Sequence, residues 1–196
     1  MDHERVQPLT DLMGRIAMRG ADAEAAMSQF YKAMAGSVFA FIRRRLTSAD
    51  EATIQGLVVD CMHEVWQSAS GFQGKSEVRT WVLGIARHKT LGAVRQRARL
   101  REDDIGAHAD TLVDESADLM VQLARKQRAG WLAECMQKLP EDHRECLHLL
   151  FVEGLPVEDI AHIQDCPSGT VKSRVFHAKA KLKRCLSRWM GDGVPA

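Results

Sequence analysis

A chain of 196 residues that is 45% hydrophobic, with a formal net charge of +1, has enough apolar material for one modest core or two small ones, which excludes the disordered and fibrous classes. No apolar run approaches the ~20 residues of a membrane helix, and the opening MDHERVQPL lacks the charged-then-apolar layout of a signal peptide, so a cytoplasmic address without membrane insertion is expected. Five cysteines (61, 135, 146, 166 and 185), an odd number with no CxxC pair, argue against a disulfide framework or a four-thiolate zinc site, and reduced thiols are expected.

Almost the whole chain reads as helix, because no period-2 stretch is long enough for a strand and only five prolines interrupt. The first half predicts helices over 9–19, 22–46, 50–69 and 78–99. In the third, Leu57, Val58, Cys61, Met62, Val65 and Trp66 form one apolar stripe for the core, and Asp60, His63, Glu64 and Gln67 take the opposite face. The stretch FQGKSEVRTW, residues 72–81, follows. Gly71 and Gly74 break the helix, Ser76 is the expected cap of the next one, and Trp81 is its first large apolar residue. Beyond it, Trp81, Val82 and Ile85 lie on one side and Leu91 and Val94 on another, as in a helix touched from two sides.

The near-zero net charge conceals strong local polarity. Residues 79–101 carry seven bases and no acid, residues 102–118 seven acids and no base, and residues 172–188 seven bases again without an acid. Two basic surfaces around an acidic, weakly hydrophobic stretch predict two small domains on a linker.

The second half is punctuated more sharply. Pro140, followed by Glu141 and Asp142, marks a helix start with proline in the first helical position, and Leu147, Leu150 and Phe151 are its expected apolar face before Gly154 ends it. A short helix runs from Pro156 to about Ile163. Gln164, Asp165 and Cys166 then form a turn in which Asp165 tolerates a left-handed conformation, and Pro167 opens the last helix. Two helices on so tight a turn are a helix-turn-helix. On the last helix, Val171, Val175, Ala178, Leu182, Leu186 and Trp189 are expected inside, with Lys172, Ser173, Phe176, His177, Lys183, Arg184 and Arg188 outside. An exposed Phe176 among bases suits a major groove, where it meets a thymine methyl while its neighbours meet phosphates and guanine edges. The start of this helix, 167–170, is expected to offer open backbone N–H groups to a phosphate.

No phosphate-binding glycine loop, nucleophile motif or paired acids in an apolar setting occur, so no enzyme, catalytic residue or cofactor is expected. His143, Cys146 and His148 do not share one helix face, which argues against a metal site. Cys166, at a helix start but without a resolving cysteine nearby in sequence, reads as an ordinary turn thiol rather than a redox switch.

The segment LPEDHRECLHLLFVEGLPVEDIAHIQDCPSGTVKSRVFHAKAKL resembles region 4 of the extracytoplasmic-function group of bacterial sigma factors, GTVKSR being its most recognisable part. In order before it, LMGRIAMRGADAEAAMSQFYKAM, VFAFIRRRL, LVVDCMHEVW, FQGKSEVRTWVLGIAR and VRQRAR are similar to region 2. The resemblance implies an all-α protein of two small helical domains: region 2 over 9–101, an acidic linker over 102–118 and region 4 over 119–190. It implies that Asp60, His63, Glu64 and Gln67 dock on a coiled coil of the largest subunit of core RNA polymerase. Phe72, Gly74, Lys75, Ser76 and Trp81 would hold a base flipped from the minus-ten element, with Arg79, Arg87, His88, Lys89 and Arg95 contacting that DNA; Ser168, Thr170, Lys172, Ser173, Arg174, Phe176, His177 and Lys179 would read the minus-thirty-five element. An anti-sigma partner clamping both domains is implied as well.

Three places depart from the family pattern. Gly56-Leu57-Val58-Val59-Asp60 stands where Asp-Leu-Val-Gln-Glu is usual, Arg87-His88 where Arg-Asn is common, and Pro156 where a serine cap is frequent, the last change costing up to ~1 kcal/mol of helix stability. The competing reading is a stand-alone dimeric helix-turn-helix regulator, which would have no use for a base-capturing loop followed by a basic helix. A protein whose basic helices meet an acidic partner is the third, and indifference to DNA at low salt would mark it.

Overall fold

The computed structural model describes residues 8–100 and 119–190, and the acidic stretch 102–118 lies outside them. Eight α-helices account for nearly all of the described residues, among which there is no strand. The chain divides into two compact units, Met1–Ala109 and Asp110–Ala196.

The first unit holds α1 (Leu9–Met18), α2 (Ala23–Arg45), α3 (Glu51–Ser68), a short 3₁₀ turn (Ala69–Gly71) and α4 (Val78–Leu100). Their apolar residues recur at helical spacing: Ala23, Ala26, Phe30, Met34, Val38, Phe41 and Ile42 on α2 meet Leu12, Met13 and Ile16 of α1 and Ile54, Val58, Cys61, Met62 and Val65 of α3 in one core. Fully burying side chains such as Phe30 or Ile42 stabilises the unit by about 1.5–3 kcal/mol each. Asp50 caps α3 by accepting the Thr53 amide at 2.7 Å. Arg19 ends α1 with φ 54°, donates to the Trp66 carbonyl at 2.7 Å and lies 4.4 Å from the Trp66 ring centroid, pinning α1 to α3.

Two sequence expectations change in α4. Its buried residues are Val78, Thr80, Val82, Leu83, Ala86 and Thr90, whereas Trp81, Ile85, Leu91 and Val94 are only half-buried, so the two large-residue sets do not mark its contacts, although α4 does pack on both α2 and α3. The helix starts at Val78, with the Glu77 carbonyl accepting the Trp81 amide, so Ser76 stands outside the cap position.

The second unit holds α5 (Leu119–Gln137), α6 (Glu141–Phe151), α7 (Val157–Gln164) and α8 (Ser168–Met190). Pro140 and Pro156 sit just before their helices, at ψ 145° and 157°, and not in the first helical position: extended at ψ, each still lends its carbonyl to the first helical bond. Gly154, at φ 69°, reverses the chain after α6, and Asp165, at φ 50°, takes the expected left-handed conformation between α7 and α8. Leu139, Cys146, Leu149, Leu155, Ile160, Ile163, Val171, Val175 and Ala178 fill the core. Phe151 was expected there and is 60% exposed, since it stands two residues, about 200° of helix, beyond buried Leu149. His148 and Glu153 face each other inside, Nε2 to Oε1 3.3 Å.

The expectation of reduced thiols fails for two of the five. Cys135 on α5 and Cys185 on α8 form a disulfide, and the Trp131 and Trp189 rings stack beside it at 5.9 Å. Fifty residues separate the two cysteines in sequence, and only the packing of α5 on α8 brings their Cα atoms to 5.8 Å, which spacing rules do not register.

Candidate nucleic-acid interface

The turn at Asp165 aims α8 across the second unit. Its first bonds run from the Thr170 and Val171 amides to the Pro167 carbonyl, at 2.9 and 3.3 Å, so the Thr170 N–H is not among the open donors expected here. Burial then sorts the helix into sides. Val171, Val175 and Ala178 face inward, while Lys172, Ser173, Phe176, His177 and Lys179 are exposed and Ser168 and Thr170 half-buried. The Ser173 hydroxyl donates back to the Thr170 carbonyl at 2.9 Å.

Phe176 is 69% exposed, with the His177 ring edge-on at 5.5 Å. Lys179 holds its ammonium 4.8 Å from the ring centroid of Phe151, which joins this face from α6 together with exposed Val152. Sequence reasoning missed Phe151 by counting it as core, although its offset from Leu149 was a usable signal. Arg174 is turned away from this face, half-buried against Asp142 and Gln164. Farther along, Lys181, Arg184 and Arg188 line a 350 Å³ cleft with Lys138 and Trp189.

His143 of α6 is held below its ordinary pKa of 6.5, first by burial and then by the positive charges of Lys181, Arg174 and His177. Burial also pushes the Cys61 thiol up to about 12 and that of Cys146 up to about 11, which makes both poor nucleophiles.

In the first unit the Phe72 and Trp81 rings meet at 5.3 Å with planes tilted by 55°, across the loop that Gly74 turns at φ 66°. Lys75 is exposed and Ser76 half-buried. Arg79 reaches back to α2, donating to the Ser37 hydroxyl at 3.2 Å. Along α4, Arg87 is half-buried, whereas His88 and Arg95 are exposed and border an open 480 Å³ groove with Gly92 and Gln96. Lys89 pairs with Glu64 of α3 at 3.1 Å, joining a residue expected on DNA to one expected on polymerase. Asp60, His63 and Gln67 are exposed, the last two 3.3 Å apart, and Val59, 56% exposed, adds an apolar element to that face.

A helix-turn-helix with an aromatic-and-basic outer face, in a chain whose other helical unit carries its own basic helix, defines a nucleic-acid-binding protein. Comparison with known proteins makes this specific. The Sigma-70 region 2 model matches residues 30–100 and the Sigma-70, region 4 model residues 129–182. The ECF RNA polymerase sigma factor SigK of Mycobacterium tuberculosis is 30% identical over 184 residues, 91% of this chain and 93% of that protein. The ECF RNA polymerase sigma-E factor of Haemophilus influenzae is 29% identical, covering 84% of this chain and 87% of that one. Among solved structures, the Bartonella quintana sigma factor RpoE, in complex with the anti-sigma factor NepR, shares the fold with a TM-score of 0.66 at 23% identity, over 82% of this chain and 96% of that one. CnrH, in complex with the cytosolic domain of CnrY, does so at 0.61 and 21%, over 91% and 96%. The chain belongs to the sigma-70 family, among its extracytoplasmic-function RNA polymerase sigma factors. That is a family of transcription initiation factors and not of enzymes, and a match to both regions in order does not favour the stand-alone regulator.

Proposed function

We propose that this sigma factor works in the cytoplasm, catalyses nothing itself, and divides its tasks between the two units. Region 2, residues 9–101, docks on the largest polymerase subunit through Asp60, His63, Glu64 and Gln67 of α3, with Val59 supplying apolar area in place of the usual polar residue. The loop at 72–76 and the Trp81 ring hold an extruded minus-ten base; extrusion costs a few kcal/mol, which stacking and backbone contacts must offset. Arg87, His88 and Arg95 follow the backbone alongside. Residues 102–118 tether the units, and region 4, residues 119–190, reads the minus-thirty-five element through Lys172, Phe176, His177 and Lys179.

The observation that carries this reading is Phe176, a large aromatic 69% exposed between two lysines on the last helix of a helix-turn-helix. A merely solvated face gains nothing from such a residue, whereas a major groove offers it thymine methyls. An anti-sigma protein that covers both basic surfaces completes the reading; among the structures that share the fold, RpoE was captured with the anti-sigma factor NepR and CnrH with the cytosolic domain of CnrY.

The test uses polymerase reconstituted with the full chain, on a duplex selected from a randomised minus-thirty-five library. K172A and F176A are each expected to weaken selection by about 1–3 kcal/mol, and K172A also to lower the salt slope by about one. Parental selection and salt dependence in both variants would contradict the assignment.

A further inference from the structure

Lys172 and Arg174 stand two residues apart in the most basic part of the chain, and charge alone hands both to DNA. The structure separates them. Lys172 is exposed, whereas the Arg174 guanidinium reaches under the turn, donating from Nη2 to Asp142 Oδ2 at 2.9 Å and from Nη1 to Gln164 Oε1 at 2.7 Å, with Cys166 Sγ 3.6 Å from Nη1.

Gln164 is the hub of this arrangement. Only 4% exposed, it ends α7 and spends its whole amide on neighbours. Its Nε2 donates to Glu145 Oε2 at 2.6 Å and to the Asp142 carbonyl at 3.1 Å, and its Oε1 accepts from Cys146 Sγ at 3.0 Å as well as from Arg174. Both donors and both lone pairs are thus engaged, and the network ties α6, α7, the turn and α8 at one point. A planar guanidinium bridges two acceptors in fixed directions, which a lysine ammonium does not reproduce.

We propose, on the reading of α8 given above, that Arg174 is a positioning residue and not a DNA contact: held by Asp142 and Gln164, it sets the angle of α8 against α6 and α7, and through that angle the sequence selectivity of Lys172, Phe176 and His177. Asp142 thereby becomes a specificity determinant although it is an acid that repels DNA.

The sign of the Asp142 effect decides the matter. Removing an acid near a polyanion strengthens binding if charge alone is at stake; removing the anchor of Arg174 weakens discrimination. The experiment compares polymerase reconstituted with the full chain, wild type or variant, on the selected minus-thirty-five duplex and on its scramble across a salt series. D142A and R174K are expected to lower the ratio of the two affinities about tenfold without changing the salt slope, and D142A/R174A to cost no more than R174A alone. Melting curves identify a variant that fails to fold, and R174K, which keeps the charge, carries the test where R174A does not survive. A salt slope reduced by about one in R174A, with discrimination intact in D142A, would overturn the proposal while leaving the function standing. A wild-type polymerase that does not distinguish the duplex from its scramble would overturn both.

Discussion

Phe176 and Arg174 show what a single residue does and does not reveal. The exposure of Phe176 follows from its angle on the helical wheel, since the Val171, Val175 and Ala178 stripe leaves it outside. The inward turn of Arg174 does not, because it depends on Asp142 arriving from thirty-two residues earlier. The cysteines divide in the same way. Burial of Cys61 and Cys146 pushes both thiols far above neutral pH, so a thiol-specific reagent at pH 8 is expected to modify half-exposed Cys166 first and the other two only on unfolding; mass spectrometry after timed alkylation reads the order. His143 gives a pH effect of definite sign. Its folded pKa is depressed, so as pH falls through about 6.5 the unfolded chain takes up a proton before the folded one and stability declines, until the folded group also titrates. H143Q is expected to show a shallower loss of stability between pH 7.5 and 5.5 than the parent, measured by urea midpoints.

Helix boundaries were the most legible feature at the scale of elements. The first four helices lie within a residue or so of their expected limits because apolar spacing, Asp50 and the Gly71 and Gly74 break act locally. The left-handed turn at Asp165 was legible for the same reason. Partnership between elements was not legible: the burial of Thr80, Ala86 and Thr90 on α4, and the bond between α5 and α8. That bond closes a loop whose ends are 50 residues apart, and loop-closure entropy makes it worth about 4 kcal/mol. The full chain with C135S and C185S is expected to lose roughly that much from the denaturation transition of its second unit, followed by guanidinium titration with and without reductant. Equal midpoints in oxidised parent and double variant would show that packing of α5 on α8 holds without it.

For the molecule as a whole, a net charge of +1 is the sum of opposed regions kept apart along the chain. The two-unit plan was legible from that alternation, and the family from the order of two regional resemblances. The faces proposed to meet polymerase and DNA were legible only where exposure follows helical angle. The central claim is that this chain directs core polymerase to promoters, and run-off transcription with purified bacterial core, with and without the chain, on pooled promoter fragments from the source genome tests it most directly. New initiation sites sharing two spaced motifs, appearing only when the chain is present, are the predicted result; a chain that binds duplex DNA by itself yet neither joins core polymerase nor redirects it would contradict the account.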